Sequence, residues 1–424
     1  MFGMKLGARL IQLYRHLWTS YWCIPVAILV VAMLLAALTT GLDHVFAGEI
    51  RPENFYLRPL APETARVVLS MIAGSIIGVA GVVFSITMVA VSFASGTFGP
   101  RLIGNMMRDR GSQVSLGCFI GTFVFALIVL RFVRTGADGG EVFVPYVSVG
   151  TAMALAICCM GVLIYFIHHV PETINIELII AKLGRALKAG IEERFTDTAQ
   201  GPVELRAETG YWYDDVDKAN ALHIHPSGDG YIQALDLQKL DEIASDEDLR
   251  IEVLRRPGAF VTTAHPVAAV WSDGDPGADV QAGLQRCFAL GASPTVNQNI
   301  EFVADQLVEI IARALSPGIN DPFTAIACIN WLQVGILHFA RNESLSDSFN
   351  RTERVHSRPF LFRDFTTAIF DKALPYIVTN RQTARYTSDV LRNVAECLPP
   401  GGNRDTIEEV QEDLTKLRNS ASSA

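Results

Sequence analysis

Charge is scarce in this sequence, and its scarcity is uneven. Only 19% of the 424 residues are Asp, Glu, Lys or Arg, against about a quarter in an ordinary soluble chain. The apolar runs within residues 21–170 are almost free of them, while residues from 172 onward read as an acidic globular chain. The net charge of −9 falls mostly in that later part, which argues against a nucleic-acid partner. Paired cysteines are also missing. Cys23, Cys118, Cys158, Cys159, Cys287, Cys328 and Cys397 show no framework spacing, so neither a disulfide scaffold nor a Cys-based zinc site can be read from them. Nor is there a Walker loop, GxGxxG, HExxH, GxSxG or kinase set. No catalytic residue or cofactor can therefore be named, and the sequence leans away from an enzyme.

What is present is apolar length. Four segments reach the roughly 20 residues that cross a bilayer: 21–42, about 67–95, 114–133 and 144–169. Trp18, Tyr21 and Trp22 anchor the first at an interface. Its apolar core is longer than the ~7–15 residues of a signal peptide, and about twenty residues precede it. The fold class is an α-helical integral membrane protein with four transmembrane helices and a cytoplasmic α+β domain. Lys5, Arg9 and Arg15, then Arg101, Arg108 and Arg110, then Lys182, Arg185, Lys188 and Arg194 place both termini in the cytoplasm, where thiols stay reduced. Arg101, Arg108 and Arg110 are expected to touch anionic lipid.

The second span carries the clearest pattern. Gly74, Gly78, Gly81, Ser85, Ser92, Ser95 and Gly99 recur at alternating spacings of four and three, interrupted only by Met88. One helix face is therefore small or hydroxylic. It fits helix–helix packing, because small residues let backbones approach. It also fits the lining of a pore at the axis of a homo-oligomer, wetted by the serines. No ionisable residue lies deep in the four segments, which disfavours proton coupling.

The remaining organisation follows composition. Residues 1–20 form a cytoplasmic N-terminus, 21–170 the membrane domain and 171–199 a connecting amphipathic helix. Residues 200–272 form a β-rich module, 273–400 a helical domain, and 401–424 a last helix with a disordered tail. The connecting helix repeats Ile174, Leu178, Ile179, Leu183, Leu187 and Ile191 near the helical period. "GYIQALDL", "LRIEVLR" and "PVAAVW" read as strands, with a helix from "QKLDEIASDED" and a turn at Pro257-Gly258. His223, His225 and His265 share this module. Three imidazoles suit zinc, yet they lack an acidic or Cys ligand at diagnostic spacing, so no metal is assigned. In "VNQNIEFVADQLVEIIARAL", Ile300, Val303, Leu307, Ile310, Ile311 and Leu315 form the inward face. "SPGINDP" then ends that helix. Gly318 follows it, Asp321 caps the next and Pro322 opens it. Arg313, Ser316, Asn320 and Asp321 could alternatively hold a ligand. Thr406 and Glu409 suggest a capping box before a seam of Ile407, Val410, Leu414 and Leu417.

Two blocks, "GVVFSITMVAVSFASGTFGPRLIGNMMRDRGSQVSLGCFIGTF" and "QLVEIIARALSPGINDPFTAIACI", resemble the bacterial predicted-membrane-protein family known as domain of unknown function 2254. The resemblance implies a multi-pass protein of the bacterial inner membrane with a cytoplasmic C-terminal region, and implies no activity. Family members carry an Arg and an Asp where this chain has Pro294 and Asn299. Separately, "SGDGYIQALD … VLRRPGAFVTTAHPVAAV" resembles the barrel-sandwich hybrid of biotinyl/lipoyl-type and efflux-adaptor modules, without a modifiable lysine. The expected partners are the lipid bilayer and further copies of the chain. Two functions stay open: an oligomeric channel-like protein with a cytoplasmic ring, and a membrane-anchored sensor or scaffold.

Overall fold

The computed structural model describes residues 22–46, 60–98, 109–135, 142–196, 220–295, 298–343, 354–358 and 360–423. They form two compact units, Met1–Asn175 and Ile176–Ala424.

Among the described residues, the first unit holds four apolar helices: α1 (Cys23–Phe46), α2 (Pro62–Phe98), α3 (Arg110–Phe132) and α4 (Tyr146–Ile174). The third packs against each of the others. Leu116, Phe119, Phe125, Ala126 and Val129 are its buried apolar side chains. Two glycines set how closely α1 approaches it. A Cβ added at Gly117 would lie 2.7 Å from Ile28 Cδ1 and 3.1 Å from the Pro25 backbone, and one at Gly121 would lie 3.3 Å from the Ala32 Cβ. This Gly-x-x-x-Gly seam is the close-packing device that membrane helices use in place of a hydrophobic driving force. The second helix has 37 residues, about 55 Å at ~1.5 Å per residue, and it is helical to Phe98. It packs through Ala65, Leu69, Ala73, Ile76, Ala80, Val83, Ala90 and Ala94.

The second unit begins with α5 (Ile176–Thr196). Its buried residues are Ile180, Leu183, Leu187 and Ile191, whereas Leu178, expected on that face, is exposed. The preceding helix ends at Asn175, in an extended conformation, and α5 starts afresh at Ile176. Next come β1 (Leu222–Ile224), β2 (Gly230–Leu235), α6 (Leu237–Asp246), β3 (Arg250–Val253), β4 (Phe260–Val261) and β5 (Ala268–Trp271). After these come α7 (Gly277–Arg286) and β6 (Phe288–Gly291). The helical part holds α8 (Ile300–Ala314), α9 (Pro322–Glu343), α10 (Phe362–Ile377), α11 (Arg381–Cys397) and α12 (Gly402–Ser423), with β7 (Val355–Ser357) between α9 and α10.

Two small sheets result, ordered β1-β5-β3-β7 and β4-β2-β6. All their pairings are antiparallel except β3 with β7. The sixth and seventh strands fall in 273–400, where the sequence suggested helix alone. Both are short, with 4 and 3 residues, and such strands show little period of their own. The strands and α6 share one core of Ile224, Ile232, Leu240, Ile251, Val270, Phe288 and Val355. At the turn, Gly258 adopts φ +95°, a conformation that a Cβ disfavours. The ninth helix packs on α5, α8, α10 and α11. There, an added Cβ at Gly184 would fall 2.1 Å from the Trp331 ring, and one at Gly335 2.6 Å from Leu187 Cδ2.

The C-terminal helix starts at Gly402, so Thr406 lies inside it and donates to Gly402 O at 2.8 Å rather than forming a capping box. Ile407, Val410 and Leu414 are buried but Leu417 is exposed, and the tail expected to be disordered is helical through Ser423.

Gly117→Leu is expected to lower the thermal midpoint of the detergent-solubilised protein by overpacking the α1–α3 seam, a cost of about 1–3 kcal/mol. Gly78→Leu, on an open surface, should leave the melting of a single chain unchanged.

Candidate functional site: an outward stripe on one apolar helix

The Gly/Ser stripe of α2 is turned away from the bundle. Gly74, Gly78, Gly81, Ser85 and Ser92 are all exposed, and a Cβ added at any of the three glycines would meet nothing within 4 Å. Ser95 is helical, with its side chain outside the described residues, as is Gly99. Among the described residues, packing inside the chain therefore uses the neighbouring alanine stripe and the Gly117–Gly121 pair, not Gly74–Gly81. Alanine already permits close approach, and the stripe one residue along the helix is left over. Arg110 is exposed, whereas Arg101 and Arg108 lie outside the described residues.

Both ends of the α1–α4 bundle carry polar clusters that the sequence did not reveal. Asp43, buried in the last turn of α1, accepts from Val147 N at 2.8 Å, Ser148 N at 3.0 Å and Ser148 Oγ at 2.6 Å. It thereby serves as a cap, supplied from another helix, for the start of α4. The sequence reading ended the first span at residue 42, one residue too early to see an acid within it. The signal for its partner lies more than a hundred residues away. At the other end, Asp109 caps α3 through Ser112 N at 2.8 Å, and both its oxygens lie 3.0 Å from His169 Nε2. Tyr165 stacks on that imidazole. Gly111 leaves room for both rings, since an added Cβ would lie 2.5 Å from His169 Nε2 and 2.7 Å from the Tyr165 hydroxyl. Between the ends, Thr122 Oγ1 and Cys159 Sγ meet at 3.2 Å.

At the α8–α9 corner, the polar groups are engaged by the chain's own backbone. Ser316 Oγ donates to Arg313 O at 2.6 Å, Asn320 N donates to Ser316 O at 2.9 Å, and Asp321 N donates to Ala314 O at 2.7 Å. The Asp321 carboxylate accepts from Phe323 N, Thr324 N and Thr324 Oγ1 at 3.0, 3.2 and 2.5 Å. Arg313 lies 3.7 Å from Glu309. Gly318 does not take the left-handed position; Asn320 does, at φ 47°. Asn tolerates that conformation, which accounts for an Asn immediately before the capping Asp. Its Oδ1 also accepts from Asn380 Nδ2 at 3.1 Å, and Asn380 caps α11. The arrangement ends, turns and restarts a helix.

His223, His225 and His265 are exposed. His225 Nδ1 pairs with Thr263 O at 3.0 Å, and His265 Nδ1 with Thr262 Oγ1 at 2.8 Å. Among the described residues, no group of three or more His, Cys, Asp or Glu could hold a metal ion. Asn299 caps α8 by accepting from Phe302 N at 3.1 Å.

These features describe an apolar multi-helix protein with polar groups gathered at helix ends. Among the described residues, five helices are long and apolar enough to cross a membrane: α1 to α4 and α9. A family model described as "Predicted membrane protein (DUF2254)" matches residues 18–393. The chain belongs to that family of predicted membrane proteins, whose place is in a lipid bilayer. It is 32% identical over 277 residues to "Uncharacterized protein Rv1290c" of Mycobacterium tuberculosis and to "Uncharacterized protein Mb1321c" of Mycobacterium bovis. Each alignment covers 64% of this chain and 51% of the relative, so the chain spans about half the length of the curated relatives it matches. No solved structure matches, and the resemblance of the β-rich stretch to barrel-sandwich modules is left without support.

Burial opposes the charge of Asp321, but hydrogen bonds from Thr324 and Phe323 outweigh it and hold its carboxyl below the usual carboxylate range. Its folded pKa thus lies below its unfolded value. The stabilisation is complete above about pH 4 and is lost as pH falls through the folded pKa. Asp321→Ala should cost ~1 kcal/mol, as expected for a lost cap. Chemical denaturation at pH 7 should read that loss, and the difference from the unsubstituted protein should shrink in acid.

Proposed function

We propose that the chain is an oligomeric, channel-like protein of the bacterial inner membrane, with four spans, α1 to α4, and both termini in the cytoplasm. The observation that carries this reading is the outward Gly/Ser stripe of α2, which no part of the same chain covers among the described residues. In an oligomer, Gly74, Gly78 and Gly81 pack between copies while Ser85 and Ser92 face an axial lumen. Polar hydroxyls turned to lipid gain nothing, whereas a lumen hydrates them. The ninth helix is apolar enough to span, but its inner face of Ala325, Cys328, Ile329, Leu332, Ile336 and Phe339 is buried in the second unit. That supports a role as the core of a cytoplasmic domain.

A second reading, a sensor or scaffold, is favoured by one feature of the second unit. A cleft of about 270 Å³ is lined by Asn220, Ser272, Asp275 and Gln281 together with Leu222 and Val270. The cleft is open to solvent and its lining mixes polar and apolar groups.

The mass of the full-length protein in nanodiscs tests the first reading. A ring of four or more copies is expected, and a monomer would overturn it. In liposomes, Ser85→Leu and Ser92→Leu should abolish ion flux that the unsubstituted protein supports; unchanged flux would remove the stripe from the lumen.

A further inference from the structure

The corner between α8 and α9 does more than turn the chain: it carries a surface that its folding role does not use. Ile319 is 49% exposed and Phe323 72% exposed. The Asn320–Asn380 hydrogen bond joins this corner to the α10–α11 turn. Tyr376, 45% exposed, lies four residues before Asn380 at the end of α10. Arg381 follows Asn380 directly and Arg385 stands one turn later. Both are exposed, and neither is in an ion pair among the described residues. Asp321, in the corner itself, has its carboxylate occupied by the start of α9, and Asp389, one turn beyond Arg385, pairs with Arg392. One end of the helical part thus presents an aliphatic, an aromatic and a tyrosine side chain beside two guanidinium groups.

We propose that this tip docks on an anionic lipid surface, with Ile319 and Phe323 entering the acyl boundary, Tyr376 at head-group level and Arg381 and Arg385 on lipid phosphates. Three observations favour lipid over a protein partner. The patch holds three large apolar side chains, far fewer than the roughly 20–30 residues and ~800 Å² per side of a stable protein interface. Apolar chains mixed with Tyr and Arg are what the membrane interface selects. The same chain also carries its own apolar helices of membrane-spanning length, so a bilayer is tethered to this unit and need not be found by diffusion. Rigidity helps as well, because Asn320 and Asp321 fix the corner from within and the apolar tips are held out at little entropic cost.

The test uses full-length protein in nanodiscs containing brominated phosphatidylcholine and phosphatidylglycerol. Phe323→Trp is compared with Val334→Trp, an exposed position about 16 Å further along α9 at ~1.5 Å per residue. The signal of the unsubstituted chain, with its five tryptophans, is subtracted. Bromine quenching of Phe323→Trp at least twofold greater than of Val334→Trp, and reduced when phosphatidylglycerol is omitted, is the expected result. Equal, strong quenching at both positions would show that α9 crosses the bilayer and would overturn the proposal. Quenching at neither would overturn it too. Ile319→Trp gives the same reading if Phe323→Trp disturbs folding. The outcome is independent of subunit number, so it stands or falls apart from the channel reading.

Discussion

A helix end in apolar surroundings must find hydrogen bonds for its bare amides, and this fold depends on that constraint. Water cannot supply them inside a bilayer or a packed core. The chain answers with Asp and Asn. Asp109 caps α3, Asp236 caps α6, Asn299 caps α8, Asp321 caps α9 and Asn380 caps α11. The start of α4 has no cap of its own, because Pro145 offers no side-chain acceptor. Asp43 supplies one from the end of α1. That carboxylate ties α1 and α4 together at one end of the first unit, as the Asp109–His169 pair ties α3 and α4 at the other. With the ends pinned, the glycines at 117 and 121 set the spacing between them.

Much of this was legible in the sequence because the signals are local. Apolar length marks α1 to α4, and the period of Ile300, Val303, Leu307 and Ile311 marks α8, all four being buried as expected. Alternation marks β2, while β3 and β5 read as short strand runs. What could not be read are matters of choice between equal local signals. Both GCFIG in α3 and the Gly74–Gly81 run offer small residues at helical spacing. Only the fold decides that the first packs within the chain and the second remains outside. Asp43 is likewise silent in the sequence, since its meaning depends on Val147 and Ser148 being brought to it. A cap supplied across helices leaves no short-range pattern.

The corner at 314–322 shows how one stretch can satisfy folding and still leave a surface for use. Its polar residues make the hydrogen bonds of the turn itself. Its apolar residues, Ile319 and Phe323, contribute little to the core and are left facing outward. The helix α2 divides in the same way, with its alanine stripe serving the fold and its glycine and serine stripe remaining open. In both places, folding leaves side chains exposed that it does not itself use.

The central claim is that the open stripe of α2 lies among copies of the chain, with its serines turned to a shared lumen. Ser85→Cys, oxidised in native membranes and compared with the unsubstituted chain, measures this most directly. The account predicts a new disulfide-linked species of twice the chain mass. If the introduced thiol instead reacts fully with a lipid-soluble maleimide and yields no cross-linked species, the stripe faces lipid and the account is contradicted.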